Sequence, residues 1–339
     1  MQQHSASSAL KDIGQLFMVG LPGTELDESS IHLIKKFRIN NFIYFKRNVE
    51  SPKQLKQLSA DLHKVCIEND LAPPLIAIDQ EGGTVTRLPP PFTQFPDARI
   101  LAVSENPAKS LAGYAMVCAR ELLDIGVNMN LAPVLDVCQT GRNFFMERRA
   151  LGSNPEEVGR LGAIIIKTMQ ENGLAACGKH FPGLGAATVD PHLKLPQVAR
   201  TKAEMLAVDI PPFRQAISSG IAAIMTSHTI YHGLDADNPA TLSAPILTGM
   251  LRRDMGYKGV IITDDLEMGA IENEGTIEQA ALLAFEAGAD LLLFCYNQQK
   301  AVKAYENLVE TVTKESFLMD RVKESRVRIA ELRQQYAKV

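Results

Sequence analysis

The chain has 339 residues, of which 46% are hydrophobic and 22% charged, with 23 glycines and 18 prolines. This is ordinary globular usage and excludes collagen-like, coiled-coil and wholly disordered classes. Lys plus Arg number 35 against 39 Asp plus Glu, a net charge of −4, so composition offers no electrostatic footprint for a nucleic-acid backbone. No run reaches the roughly 18 apolar residues of a membrane-spanning helix. Met1–Ser8 lacks the basic and apolar regions of a secretory signal, which points to the cytoplasm. Cys66, Cys118, Cys138, Cys177 and Cys295 are scattered without a CxxC pair and read as reduced structural thiols.

Taken in chain order, eight short apolar runs alternate with longer amphipathic stretches. The runs are Gln15–Leu21, Asn41–Phe45, Leu75–Asp79, Met129–Val137, Ala175–His180, Ala222–His228, Val260–Asp264 and Leu291–Cys295. Their length and continuous apolar character suit parallel strands covered on both faces. The stretches between them carry helix signals: Ser51-Pro52, the acidic first turn of Asn154-Pro-Glu-Glu157, and the capping box Thr201-Lys-Ala-Glu204. Gly126, Gly173, Gly220 and Gly288 each stand where a helix stops before the next strand. Gln298–Lys314 and Phe317–Tyr336 read as two closing helices.

Eight βα units predict an α/β fold, a single (β/α)8 barrel with extra C-terminal helices, as one catalytic domain over residues 1–339. A doubly wound open sheet is the alternative, but it normally carries a Gly-rich phosphate turn after its first strand. Gly20-Leu-Pro-Gly23 lacks that spacing, and no Walker loop or dinucleotide fingerprint occurs elsewhere.

In a barrel of this kind catalytic groups sit at the C-terminal ends of strands. Strand three ends in Asp79-Gln-Glu-Gly-Gly, with Arg87 just beyond; strand four ends near Asp136, and its loop carries Arg142, Arg148 and Arg149. Strand five runs into Lys179-His180, strand six ends at His228, and strand seven at Thr263-Asp264-Asp265. A single Asp after a strand usually caps a helix, and Arg148 and Arg149 alone read as surface charges. Ionisable groups at five strand ends are harder to dismiss, since a charge ending a buried run is costly to desolvate unless partnered.

The long loop after strand five, Phe181–Pro196, holds Asp190-Pro-His192. A carboxylate beside an imidazole can orient the ring and stabilise its charged form, which suits a general acid/base; a His/Asp metal site is the rival reading. At strand seven, alternation lets only one of Asp264 and Asp265 face the barrel axis. Asp264 suits a carboxylate nucleophile, and Asp265 suits a cap for the segment after it.

Lys179-His-Phe-Pro-Gly-Leu-Gly185 followed by Asp190-Pro-His192 resembles the KHFPGxG…DxH signature of glycoside hydrolase family 3 β-N-acetylglucosaminidases. Gly259-Val-Ile-Ile-Thr-Asp-Asp-Leu-Glu-Met268 is similar to that family's nucleophile motif. Ala77-Ile-Asp79-Gln-Glu-Gly-Gly with Arg87, and Ala132-Pro-Val-Leu-Asp136-Val, match two further segments. The resemblance runs from about Ile13 to Asn297. It implies Asp264 as nucleophile, His192 as acid/base and Asp190 as its partner, with Asp79, Arg87, Arg148, Lys179 and His180 binding an N-acetylglucosamine ring. The sequence departs from the family pattern at Leu184 and Pro191, and around Arg148.

The implied activity is retaining hydrolysis of terminal non-reducing β-linked N-acetylglucosamine, with peptidoglycan fragments as substrate during cell-wall recycling. The resemblance implies no cofactor or metal; the partner is a small carbohydrate, with no nucleic acid or membrane. A β-glucosidase or β-xylosidase of the same family, a phosphorylase, and a silent sugar-binding barrel stay open as alternatives.

Overall fold

A capping side chain followed by proline fixes where several helices begin. Ser51, Asn106 and Asn154 each accept a backbone N–H three residues on, and each precedes a proline at the first helical position. The capping box at Thr201–Glu204 is formed as the sequence predicts. The four predicted stop glycines all take positive φ, from 73° at Gly220 to 128° at Gly288, where a side chain would be strained.

The computed structural model describes residues 12–141, 144–187, 195–272 and 275–337. The eight predicted strands are β1 (Phe17–Gly20), β2 (Asn41–Tyr44), β3 (Leu75–Ile78), β4 (Met129–Asn130), β5 (Ala175–Phe181), β6 (Ala223–Thr226), β7 (Val260–Ile262) and β8 (Leu292–Phe294). They lie in the order β7-β6-β5-β4-β3-β2-β1-β8, every neighbour parallel. The two ends meet at the parallel bridge Ile262↔Leu291, where Leu293 N–H also donates to Thr263 Oγ1. The sheet thus nearly closes into a barrel. β4 is shorter than predicted because Pro133 has no N–H to extend its ladder.

Helices wrap the barrel: α1 (Glu28–Phe37), α2 (Pro52–Glu68), α3 (Pro107–Asp124), α4 (Pro155–Glu171), α5 (Ile210–Ser218), α6 (Pro245–Asp254, wound with π pattern), α7 (Ile277–Ala287) and α8 (Gln298–Lys314). Each turns an apolar stripe inward. In α4, Val158, Leu161, Ile165, Ile166 and Met169 are all buried, at the spacing of one helical face. No helix among the described residues is long and apolar enough to cross a membrane.

The last helix, α9 (Ser316–Tyr336), closes the N-terminal end of the barrel with arginines. Arg333 donates to the Asn40 and Asn41 side chains at 3.0 and 2.7 Å. Arg321 and Arg328 reach the buried Asp290 at 3.1 Å, and Arg252 from α6 pairs with its other oxygen. Asp290 also accepts the Ile261 N–H, so one carboxylate joins α6, α9 and the start of two strands.

Asp290→Asn would keep the shape and leave three guanidiniums without their shared charge. It should cost on the order of 3 kcal/mol, read as a lowered denaturant midpoint with helical content unchanged at zero denaturant.

Candidate active site

Asp79 directly follows β3, and a short hairpin (Gln80–Gly82 with Val85–Thr86) turns the chain back on itself. The Gln80 side-chain oxygen accepts the N–H groups of Arg87 and Leu88, which returns Arg87 beside Asp79. Arg87 Nη2 then donates to Asp79 Oδ2 at 3.0 Å. From β5, Lys179 Nζ lies 2.6 Å from both Asp79 Oδ1 and Glu81 Oε1. Glu81 in turn takes a two-pronged contact from Arg149, at 2.8 and 2.9 Å. Arg87, Asp79, Lys179, Glu81 and Arg149 form one line of alternating charge across the barrel mouth.

Burial and pairing compete along this line, and pairing wins. Burial would push the Glu81 carboxyl up, yet Arg149 and Lys179 hold it at about 2, against an ordinary 4.5. Asp79 is likewise held well below the carboxylate range by Lys179 and Arg87, against its own burial. Burial pulls the Lys179 ammonium down, but Asp79 and Glu81 more than offset it and leave it above the usual lysine value. All three groups are therefore ionised at neutral pH.

A bulge in β5 explains how two successive residues serve the mouth. Gly178 pairs with Ile224 and Phe181 with Thr226, so three steps on β5 oppose two on β6. Lys179 and His180 sit in the bulge, and both border the cavity. Asp136 holds His180: Oδ2 accepts from Nδ1 at 2.8 Å, while Oδ1 accepts the N–H groups of His180 and Leu184. A carboxylate only accepts, so Nδ1 is the donor in this bond, and Nε2 is the ring nitrogen left for a ligand.

Across the cavity, Asp264 follows β7, and one of its oxygens accepts the Asp265 N–H at 2.9 Å. Both carboxylates border the cavity, although alternation alone predicts one. Asp265 is nonetheless a scaffold group, since its Oδ1 accepts N–H bonds from Glu267 and Cys295 and so ties the β7 and β8 loops together. Burial lifts its carboxyl to about 7, with the Glu267 and Asp264 charges adding to the rise. The cavity encloses about 790 Å³ counting its open mouth.

Asp79, Arg87, Lys179, His180 and Asp264 are brought to this one cavity from the ends of three strands, β3, β5 and β7. Arg148 is not among its lining residues. It turns outward, 68% exposed, and pairs with Asp97 at 2.7 Å; its neighbour Arg149 is the arginine on the cavity. Asp190 and His192 lie outside the described residues. Sequence reasoning missed Glu81, two residues from Asp79, and Arg149. It also passed over the His228-x-x-x-His232 spacing, but those imidazoles diverge. His228 bonds Thr241 Oγ1 and the Asp265 carbonyl, and His232 bonds Gln197. No group of three ligating side chains suited to a metal occurs among the described residues. The five cysteines are free and buried.

A parallel barrel with fixed, ionised groups around a small open cavity is the framework of a (β/α)8 enzyme that holds a small polar ligand at its C-terminal mouth. Residues 10–332 match the glycosyl hydrolase family 3 N-terminal domain. The chain belongs to this family, and it is an enzyme of the β-hexosaminidase class. It is 38% identical over 294 residues to a β-hexosaminidase of Alkalilimnicola ehrlichii, covering 85% of this chain and 82% of that one. A Paenibacillus family 3 β-N-acetylglucosaminidase superposes with a TM-score of 0.91 at 36% identity; 96% of this chain matches 62% of that longer one. The NagZ structure from Neisseria gonorrhoeae, solved with N-trifluoroacetyl-D-glucosamine, superposes with a TM-score of 0.77 at 30% identity, over 94% of this chain and 93% of that one.

Because Glu81 ionises more readily folded than unfolded, its stabilisation is complete above pH 4.5 and is lost as the pH falls toward 2. Glu81→Gln should therefore be less stable than the parent at neutral pH, with the gap closing between pH 4.5 and 2. Melting temperatures of both proteins across that range check this.

Proposed function

We propose that the chain is one catalytic domain that releases terminal non-reducing β-linked N-acetylglucosamine from peptidoglycan fragments, by a retaining mechanism. The observation that carries this reading is the placing of Asp264 on the cavity that the Arg87–Asp79–Lys179–Glu81–Arg149 line and His180 also border. Relatives of the β-hexosaminidase class and a neighbour holding an N-acylated glucosamine support the sugar. The five free, buried thiols suit a reducing compartment, the cytoplasm.

In this reading the ring sits among groups that are already ionised and already oriented. Asp79 accepts hydroxyl protons, while Lys179, Arg87 and Arg149 donate; their mutual ion pairs hold them in place before the sugar arrives. Such prior ordering lowers the cost of reaching the transition state. His180, fixed by Asp136, offers one more directed hydrogen-bond position.

The chemistry runs in two displacements. Asp264 attacks the anomeric carbon with the oxygen not occupied by the Asp265 N–H; the C–O bond to the leaving sugar breaks, and His192 gives its proton to that oxygen. In the second step His192, now neutral, takes a proton from water, whose oxygen displaces Asp264 from the anomeric carbon. Asp190 orients the His192 ring in both steps. The imidazole thus does the work usually given to a second carboxyl.

Asp264→Ala should lower turnover on an aryl N-acetyl-β-glucosaminide on the order of 10⁴-fold while the protein stays folded. A slow fluorinated substrate should label Asp264 in the parent enzyme, read by mass spectrometry of the peptide. Full activity in the variant would remove Asp264 from the mechanism. His192→Ala should lose much less on an activated aryl leaving group than on a disaccharide, because a good leaving group needs little protonation. Equal losses on the two substrates would remove the acid role.

A further inference from the structure

His228 follows the end of β6 by two residues, as Asp264 follows that of β7, and its side chain is buried. It is not among the residues that line the cavity, so it stands behind the site rather than in it. A buried imidazole is costly unless both ring nitrogens find partners. Nε2 lies 2.9 Å from the Asp265 carbonyl oxygen, and since a carbonyl only accepts, Nε2 is the donor. Nδ1 lies 2.7 Å from Thr241 Oγ1, which stands 2.7 Å from Thr226 Oγ1 and 3.1 Å from the Ser227 carbonyl oxygen. The ring is thus held from the β6 side and aims an N–H at the turn after β7.

The residue it grips is the one that orients Asp264. The Asp265 N–H donates to one oxygen of Asp264 at 2.9 Å and leaves the other for the sugar. That bond fixes the carboxylate only if Asp265 is itself fixed. Its own carboxylate accepts the N–H groups of Glu267 and Cys295, and its carbonyl accepts from Met268 N–H at 3.0 Å and from His228. Glu267 and Met268 belong to the same turn and would move with it. Cys295 ties the turn to the end of β8, and His228 ties it to the end of β6. The Met268 N–H already satisfies the carbonyl, so the His228 bond is not needed to avoid an orphaned acceptor. What it adds is direction.

The end of β6 is in turn fixed to β5, because the Ser227 N–H donates to the carbonyl of Phe181 at 2.9 Å. His228 therefore relates the turn carrying Asp264 to the strand whose bulge presents Lys179 and His180, the residues that hold the sugar in the reading above. The separation of the bound ring from the attacking oxygen depends on that relation. A displacement of about 1 Å can cost on the order of 100-fold in rate.

We propose that His228 is a positioning residue for the nucleophile: through the Asp265 carbonyl it sets Asp264 against the sugar held from the β5 side. The inference rests on the retaining-glycosidase reading and adds to it a residue that contacts neither the sugar nor the Asp264 carboxylate.

The test compares the parent with His228→Leu, which removes the donor, and His228→Gln, whose amide places an N–H near the position of Nε2. Three quantities are read: the rate at which a saturating slow fluorinated substrate labels Asp264, the inhibition constant of free N-acetylglucosamine, and the melting temperature. His228→Leu should label roughly 10- to 100-fold more slowly, with the inhibition constant within about twofold of the parent's. His228→Gln should recover most of the lost rate. An unchanged labelling rate in His228→Leu overturns the proposal, as does a loss accompanied by an equal rise in the inhibition constant. A His228→Gln variant as slow as His228→Leu, at equal melting temperature, also overturns it. Where His228→Leu does not fold, Thr241→Val, which frees the ring on its β6 side, decides by the same readouts: slower labelling at constant inhibition supports the proposal, and an unchanged rate overturns it. A parent that acquires no label on Asp264 overturns the nucleophile reading itself, whereas a labelled parent with indifferent variants overturns the role of His228 alone.

Discussion

Lys179 is a buried ammonium whose charge is tolerable only because two carboxylates stand 2.6 Å away. Each of those carboxylates is itself buried enough to need a second cation, which Arg87 and Arg149 provide. The five groups are therefore mutually dependent. Take one away and a neighbour is left as an uncompensated charge in a low-dielectric site. The same dependence fixes the shape of the mouth, because it joins the loops after β3, β4 and β5 at defined points. Three cations against two anions also leave the line with donors to spare, which suits it to hold hydroxyl groups.

The other side of the mouth is organised by backbone bonds instead. Asp265 and Glu267 accept N–H groups from residues 295–297, so the β7 and β8 loops are tied to each other. That difference is physical: ion pairs need partners of opposite sign, while a carboxylate can also be satisfied by N–H groups that carry no net charge. No cation among the described residues pairs with Asp265, and burial raises its carboxyl to about 7 where Glu81 is held at about 2. At the opposite end of the barrel, Asp290 and Arg333 perform a purely structural task, joining α9 to the strand starts. Stability and chemistry thus occupy different ends of one barrel.

Much of this was legible beforehand. Continuous apolar runs marked all eight strands, because a parallel strand covered on both faces has no polar side to confuse the pattern. Caps such as Ser51 and Thr201 were readable because their hydrogen bonds reach only three residues. Asp79, Arg87, Lys179, His180 and Asp264 could be picked out because a barrel places strand ends at one mouth. The choice between Arg148 and Arg149 was not legible. The two are adjacent, equal in chemistry, and separated only by which carboxylate, Asp97 or Glu81, each one meets. Glu81 was overlooked for the same reason: its importance lies in Lys179, almost a hundred residues away. The bulge in β5 also escaped, since it depends on pairing with β6.

By itself, the sequence determined the order of the strands, the place where several helices begin, and the kinds of chemical group delivered to the C-terminal mouth. These follow from local propensity and periodicity, which act over a few residues. Tertiary structure alone decided which arginine enters the cavity, how Lys179 is neutralised, why both Asp264 and Asp265 border the site, and that His228 bonds the Asp265 carbonyl. Each of those outcomes is a contact between strands distant in the chain. Such partners are chosen by burial and by the cost of leaving a charge unpaired, forces that act only once the barrel has closed.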